Sequence, residues 1–350
     1  MTKNRLRVAV ATPLPEHLCT YIEDRLPQVE LVRDQSLLPP QRWAADFGGD
    51  PSYRRTPAEQ AAFEALVDSA DVLYGIPDVD SRALARTVRA NPSLRWVQVM
   101  AAGGGSQVRD AGLTRDELDR VTFTTGAGVH AGPLSEFALF GLLAGAKQLP
   151  RLADHKARRE WSGRWAMGQI REQTVLVVGL GSIGREVARK ASLLGARVLG
   201  VNLTTDPVEG VERVYAPDQI EQVAAEADAI VNTLPGTDAT YHLISEKVFA
   251  QVRPGTTFVS VGRGTVVDES ALTAALQDGR VGFAALDVFE VEPLPSESPL
   301  WTLPNVVVSP HTAANNATEE LLLAELFCEN VERLLAGAPL RNVVDTVAFF

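Results

Sequence analysis

The segment Thr174-Val-Leu-Val-Val-Gly179-Leu-Gly181-Ser182-Ile183-Gly184 constrains this chain more than any other. An apolar run with the composition of a buried strand leads directly into G-x-G-x-x-G, and a helical pattern follows. Gly179 permits a tight turn, Gly181 lets backbone approach a pyrophosphate, and Gly184 lets the helix pack close to the strand. The unpaired N–H groups at the helix start, at the positive end of its dipole, favour phosphate. The spacing therefore predicts a strand–turn–helix unit that holds a dinucleotide. A glycine-rich turn without a ligand is the weaker reading, because both the strand and the helix that the motif requires are present.

The rest of the chain continues this alternation. From residue 174 onward, strands are expected at 175–178, 197–201, 229–233, 257–261, 282–286 and 306–309, with helices at 183–194, 220–225 and 269–277. That is the size of a doubly wound dinucleotide-binding sheet. Earlier, strands are expected at 7–11, 72–76, 94–100 and 121–124, with helices at 16–26, 57–69 and 81–91. Residues 133–147 are apolar around most of a helical circumference, which predicts a buried helix joining two domains. Residues 150–173, with Trp161 and Trp165, read as a traverse over the surface, and 317–335 as an amphipathic helix ending near Gly337. The stretch from Pro39 to Arg55 fits no periodicity. It is long for a loop, and is expected to be a surface excursion packing its own aromatics or, less favoured, a lid.

Composition narrows the function classes. A chain of 350 residues with 45% hydrophobic and 22% charged residues is a globular protein of about two domains. A net charge of -11 argues against a nucleic-acid partner. Cys19 and Cys328 stand far apart without metal-ligand spacing, so neither a zinc site nor a disulfide framework is expected. The apolar run at residues 8–11 is too short for a signal peptide and no stretch is long enough to span a bilayer, so a cytoplasmic protein with no membrane partner is expected.

Three further segments change the reading from dinucleotide binding to chemistry: Val259-Ser-Val-Gly-Arg263-Gly264-Thr-Val-Val-Asp268, Ala285-Leu-Asp287-Val-Phe-Glu290-Val-Glu292-Pro293, and Ser309-Pro310-His311. Together with the glycine turn, this order resembles the D-isomer-specific 2-hydroxyacid dehydrogenases over roughly residues 70–345. The resemblance implies an α/β architecture of two doubly wound parallel-sheet domains. It further implies a Rossmann nucleotide domain (127–311) inserted into a flavodoxin-like substrate domain (1–126 and 312–350). It implies Arg263 as the anchor of a substrate carboxylate and keto oxygen, a role that suits a planar fork of donors. His311 becomes the general acid/base and Glu292 the carboxylate that orients it, with Glu290 as a rival for that pairing. Around the cofactor it implies Gly179, Gly181, Ser182, Ile183, Gly184, Asn202, Leu234, Pro235, Thr240, Val261, Gly262, Asp287 and His311; around the substrate, Ala102, Gly103 and Gly104 with Arg263 and His311. His130, in the segment that resembles the family's hinge, reads as structural rather than catalytic. A homodimer is expected on the same grounds.

The chain also departs from the family. Ser260 stands where many members have Asn, and Asn202 replaces the acidic residue expected at the end of the second strand. Asn202 can bond a ribose hydroxyl without repelling a 2′-phosphate, so the choice between NAD and NADP stays open. The expected activity is hydride transfer between NAD(P)H and C2 of a small-molecule 2-oxo or 2-hydroxy acid. The alternatives are a dinucleotide-sensing regulator of the same fold, against which Arg263, Glu292 and His311 argue, and a formate dehydrogenase, which should carry Gln at Glu292.

Overall fold

The computed structural model describes residues 5–347 and 349. The chain divides into two compact units, Met1–His130 with Asn315–Phe350, and Ala131–Ala314.

In the first unit, β1 (Leu6–Val10), β2 (Val29–Val32), β3 (Val72–Tyr74), β4 (Trp96–Gln98) and β5 (Thr122–Thr124) form one sheet in the order β2-β1-β3-β4-β5. Every pairing is parallel, and the order is the flavodoxin-like one. β3 and β4 are buried throughout, as strands covered on both faces must be. The helix Pro57–Asp68 begins with a full capping box, Thr56 with Glu59, and Pro57 in its first turn. The helix Glu319–Leu335 packs into the core of this N-terminal sheet: Phe327 stacks on Trp96 and meets Tyr74 edge-on, each at 5.1 Å between ring centroids. This contact draws two distant chain segments into one unit.

Residues 39–55 contain no regular helix or strand. The segment is held largely by its own bonds. Arg42 clamps the Asp46 carboxylate at 2.7 and 3.0 Å and Asp50 N–H donates to Pro40 O, while Arg55 Nε reaches outside the segment to Leu37 O at 2.6 Å. Its aromatics do not cluster as expected. Phe47 packs on the unit's core, while Trp43 is exposed under the Arg42 guanidinium.

The second unit carries β6 (Thr174–Val178), β7 (Arg197–Val201), β8 (Arg213–Tyr215), β9 (Ala229–Asn232), β10 (Thr256–Ser260), β11 (Val281–Leu286) and β12 (Val306–Val308). They form one parallel sheet in the order β12-β11-β10-β9-β6-β7-β8, the dinucleotide-binding order with its reversal between β6 and β9. Two strands escaped the sequence reading, β2 and β8. Both lie at a sheet edge and span 4 and 3 residues, too short for a periodicity to register. The helix Ala131–Ala146 also differs from expectation. It buries only one face, and Phe140 and Leu143 are exposed. The traverse that follows contains a helix, Leu149–Ala157, before its irregular part, where Trp161 is fully exposed and Trp165 packs on His155 and Arg151. No helix among the described residues is long and apolar enough to cross a membrane.

Candidate functional site

The glycine turn has the geometry its sequence demands. β6 is buried throughout and ends at Gly179, whose φ of +92° suits glycine. A Cβ on Gly184 would lie 1.8 Å from the Gly179 carbonyl oxygen, so only glycine allows the helix to sit this close. Gly181 is the N-cap of the helix Ser182–Leu193 and faces open space. No side chain caps that helix, so its first N–H groups are available to an anion. Ser182 opens the helix, and Ile183 packs toward the core formed by β6 and its neighbours.

Asn202 follows β7 and braces this turn. Its Oδ1 accepts from Leu180 N–H at 3.2 Å, and its Nδ2 donates to Thr204 at 3.3 Å. At the end of β9, Thr233 Oγ1 donates to the Gly179 carbonyl at 2.7 Å and so joins the glycine turn to the loop after β9. In that loop Thr240 is turned inward: its hydroxyl donates to Pro235 O at 2.7 Å and accepts from Thr237 N–H. Thr240 thus shapes the turn carrying Leu234 and Pro235.

After β10, Val261 and Gly262 are buried and Arg263 emerges exposed. Its Nη1 donates to the Gly262 carbonyl at 2.9 Å, and no carboxylate lies within salt-bridge distance among the described residues. The next residue, Gly264, touches the loop after β11. A Cβ there would lie 1.8 Å from the Phe289 carbonyl oxygen. Glycine at 264 is what lets the arginine segment adjoin the loop bearing Glu290 and Glu292.

The two glutamates separate cleanly. Glu292 Oε2 meets His311 Nδ1 at 2.7 Å, while its Oε1 accepts from Phe289 N–H at 3.0 Å. Glu290 Oε1 instead meets His242 Nε2 at 2.8 Å, and its backbone N–H donates to Glu269. Burial raises the Glu269 carboxyl above the usual range. His242 and Glu269 went unnoticed in the sequence, since nothing local marks a histidine 48 positions from its partner.

Asp287 is 1% exposed at the end of β11. Its Oδ1 accepts from Ser309 Oγ at 2.6 Å and from the N–H groups of Thr312 and Ala313, and its carbonyl accepts from His311 N–H. These bonds hold His311 at φ +52°, a conformation that a non-glycine residue adopts only when its surroundings impose it. Asp287 Oδ2 is buried without a hydrogen-bond partner. A carboxylate oxygen can only accept, so this contact suits the tautomer with its proton on His311 Nδ1. Arg263, Glu292, His311, Asp287 and the glycine turn all belong to the unit Ala131–Ala314.

Ala102, Gly103 and Gly104 belong to the other unit, in the turn before the short helix Gly105–Asp110. Gly104 lies against Val99, and Gly103 O accepts from Ser106 Oγ. His130 is buried with Nε2 2.8 Å from Glu319 Oε1, the environment of a structural histidine.

Residues 139–313 match the family model for the NAD binding domain of D-isomer specific 2-hydroxyacid dehydrogenases. A Corynebacterium melassecola protein, described as an uncharacterized protein in the proB 3′ region, is 33% identical over 261 residues, 73% of this chain and 84% of that protein. Glyoxylate/hydroxypyruvate reductase B of Serratia proteamaculans (strain 568) is 37% identical over 210 residues; the match spans 58% of this chain and 64% of the reductase. A solved D-isomer specific 2-hydroxyacid dehydrogenase from Xanthobacter autotrophicus Py2, in complex with NADPH and MES, aligns with a TM-score of 0.77 at 26% identity, covering 99% of this chain and 100% of that one. The chain belongs to the D-isomer specific 2-hydroxyacid dehydrogenase family of nicotinamide-dependent oxidoreductases.

Proposed function

We propose that the protein reduces a short 2-oxo acid to the D-2-hydroxy acid and catalyses the reverse oxidation. The observation that carries this reading is the 2.7 Å contact between His311 and Glu292, on a loop against which the Arg263 segment packs through Gly264. Glu292 holds the ring by its Nδ1 proton. Nε2 then gives a proton to the substrate oxygen on reduction and takes it back on oxidation. Arg263, exposed and without a carboxylate of its own, offers a planar pair of donors to the substrate's carboxylate and keto oxygen. Ala102, Gly103 and Gly104 are proposed as backbone donors to the same carboxylate.

A nicotinamide dinucleotide fits this chain on two structural grounds. The uncapped helix start at Gly181 suits a pyrophosphate, and the partnerless buried Oδ2 of Asp287 suits an amide donor such as the carboxamide. When bound, the nicotinamide supplies the hydride. Gly179, Gly181, Ser182, Ile183 and Gly184 would hold the pyrophosphate, Asn202 the ribose, and Leu234, Pro235, Thr240, Val261 and Gly262 the turns beside it. We propose that both NADH and NADPH are accepted, because Asn202 brings no charge to a 2′-phosphate; the Xanthobacter relative was solved with NADPH.

Glyoxylate and hydroxypyruvate are the proposed substrates, after the name of the Serratia relative. The test is a panel of 2-oxo acids with NADH and NADPH in parallel. Turnover of short 2-oxo acids is expected. No turnover of any member with either cofactor would sink the reading and favour a regulatory protein. A homodimer is proposed with it, supported by Phe140, Leu143, Leu152, Trp161 and Met167, all exposed in the unit Ala131–Ala314. So is a cytoplasmic location, which would keep Cys19 and Cys328 as the thiols seen here.

A further inference from the structure

We propose that Asn232 is a positioning residue for Arg263, tying the arginine's backbone to the turn that begins at Leu234. The inference rests on the reading of Arg263 as the substrate's carboxylate anchor.

β9 lies inside the seven-stranded sheet, and its other residues are Ala, Ile and Val. An asparagine that is 0% exposed at its end is costly unless its amide is bonded. Here both ends of the amide are used. Oδ1 accepts from Leu234 N–H at 3.1 Å; Nδ2 donates to Ser260 Oγ at 3.2 Å and to the Arg263 carbonyl at 3.4 Å. The Asn232 carbonyl accepts from Val261 N–H at 3.0 Å. One residue therefore holds the residues before and after Gly262 as well as the start of the neighbouring turn. Gly262 shows how tight that junction is, since a Cβ there would lie 2.4 Å from Leu234 O.

Ser260 takes its place in the same arrangement. Register sets Ser260 directly beside Asn232 on the adjacent strand. A short hydroxyl there leaves room for the amide that reaches across from β9. Among the described residues, the guanidinium of Arg263 bonds only the carbonyl of its own neighbour, Gly262, so its direction is inherited from the backbone that Asn232 holds. A displacement of about 1 Å at such an anchor costs on the order of 100-fold in rate.

The test is a double-mutant cycle on the full-length protein with Asn232→Asp and Arg263→Lys. Asn232→Asp keeps the acceptor for Leu234 N–H and removes the donors to Ser260 and Arg263. Expected is a fall of about 10- to 100-fold in kcat/KM for the 2-oxo acid. Dinucleotide Kd, read by fluorescence titration, should move less than about 3-fold. In the Arg263→Lys background the same change should cost no more than about 3-fold, because the fork it positions is gone. Asn232→Ser, neutral and smaller, is run beside it with circular dichroism, so that an unfolded Asp variant does not decide the matter. An equal loss in both backgrounds, or no loss in either, overturns the positioning role. A wild type inactive on every 2-oxo acid overturns the underlying reading instead.

Discussion

At the residue scale, the chemistry rests on which polar atoms are committed and which are left over. His311 has one ring nitrogen held by Glu292 and one uncommitted, and its backbone is pinned by Asp287. Replacing His311 by Ala should lower kcat by about 100- to 10,000-fold while dinucleotide affinity is kept, measured by steady-state rates beside fluorescence titration. Asn202 is proposed above as the ribose contact. Asn202→Asp places a carboxylate beside the 2′ position, and the ratio of kcat/KM for NADPH over NADH should fall by at least about 10-fold. An unchanged ratio would mean that the ribose is read elsewhere. The resemblance preferred Glu292 over Glu290 as the partner of His311, because its pattern puts the acid just before Pro293, and left Glu290 as a rival with no partner of its own. The loop's fold aims Glu292 at His311 and Glu290 at His242.

At the element scale, two close approaches shape the candidate site, Gly184 on the Gly179 carbonyl and Gly264 on the Phe289 carbonyl. The first lets the helix Ser182–Leu193 rest on the end of β6. Gly184→Ala should therefore open the turn and weaken dinucleotide binding by at least about 10-fold, since the new Cβ would overlap the backbone oxygen of Gly179. Calorimetric titration with NADH or NADPH would show it, and unchanged affinity would refute the steric argument. This element was legible because strand, turn and helix are contiguous. The exposed face of Ala131–Ala146 was not legible. Its apolar residues run around the helix, and only packing decides which of them the sheet covers.

At the scale of the whole molecule, the homodimer proposed above would cover the exposed apolar residues of the Ala131–Ala314 unit. Light scattering should give roughly twice 37.7 kDa, and Phe140→Glu should shift the protein toward the monomer. The two thiols report on the first unit, in whose core both are buried although they stand at opposite ends of the chain. Burial pushes both Cys19 and Cys328 from an ordinary 9.0 up to about 12. An acid whose folded value is raised ionises first in the unfolded chain, so these cysteines contribute a loss of stability as pH rises above about 9. Near pH 8 neither should react with a disulfide reagent in the native protein, and both should react at once in denaturant. Fast labelling of the native protein would contradict their burial.

The sequence by itself determined the strand–turn–helix unit at Gly179, the alternation that gives parallel sheets, and the order in which Arg263, Glu292 and His311 occur. These are properties of neighbouring residues, set by backbone conformation and by periods of two and 3.6 residues. Tertiary structure alone decided the edge strands β2 and β8, the pairing of Glu290 with His242, the unsatisfied oxygen of Asp287 and the reach of Asn232 across the sheet. Each of these depends on elements brought together from distant parts of the chain. The glycine turn is contiguous and so was legible; the packing of the loops after β10 and β11 is not, and it sets the Arg263 segment, through Gly264, against the loop whose Glu292 holds His311.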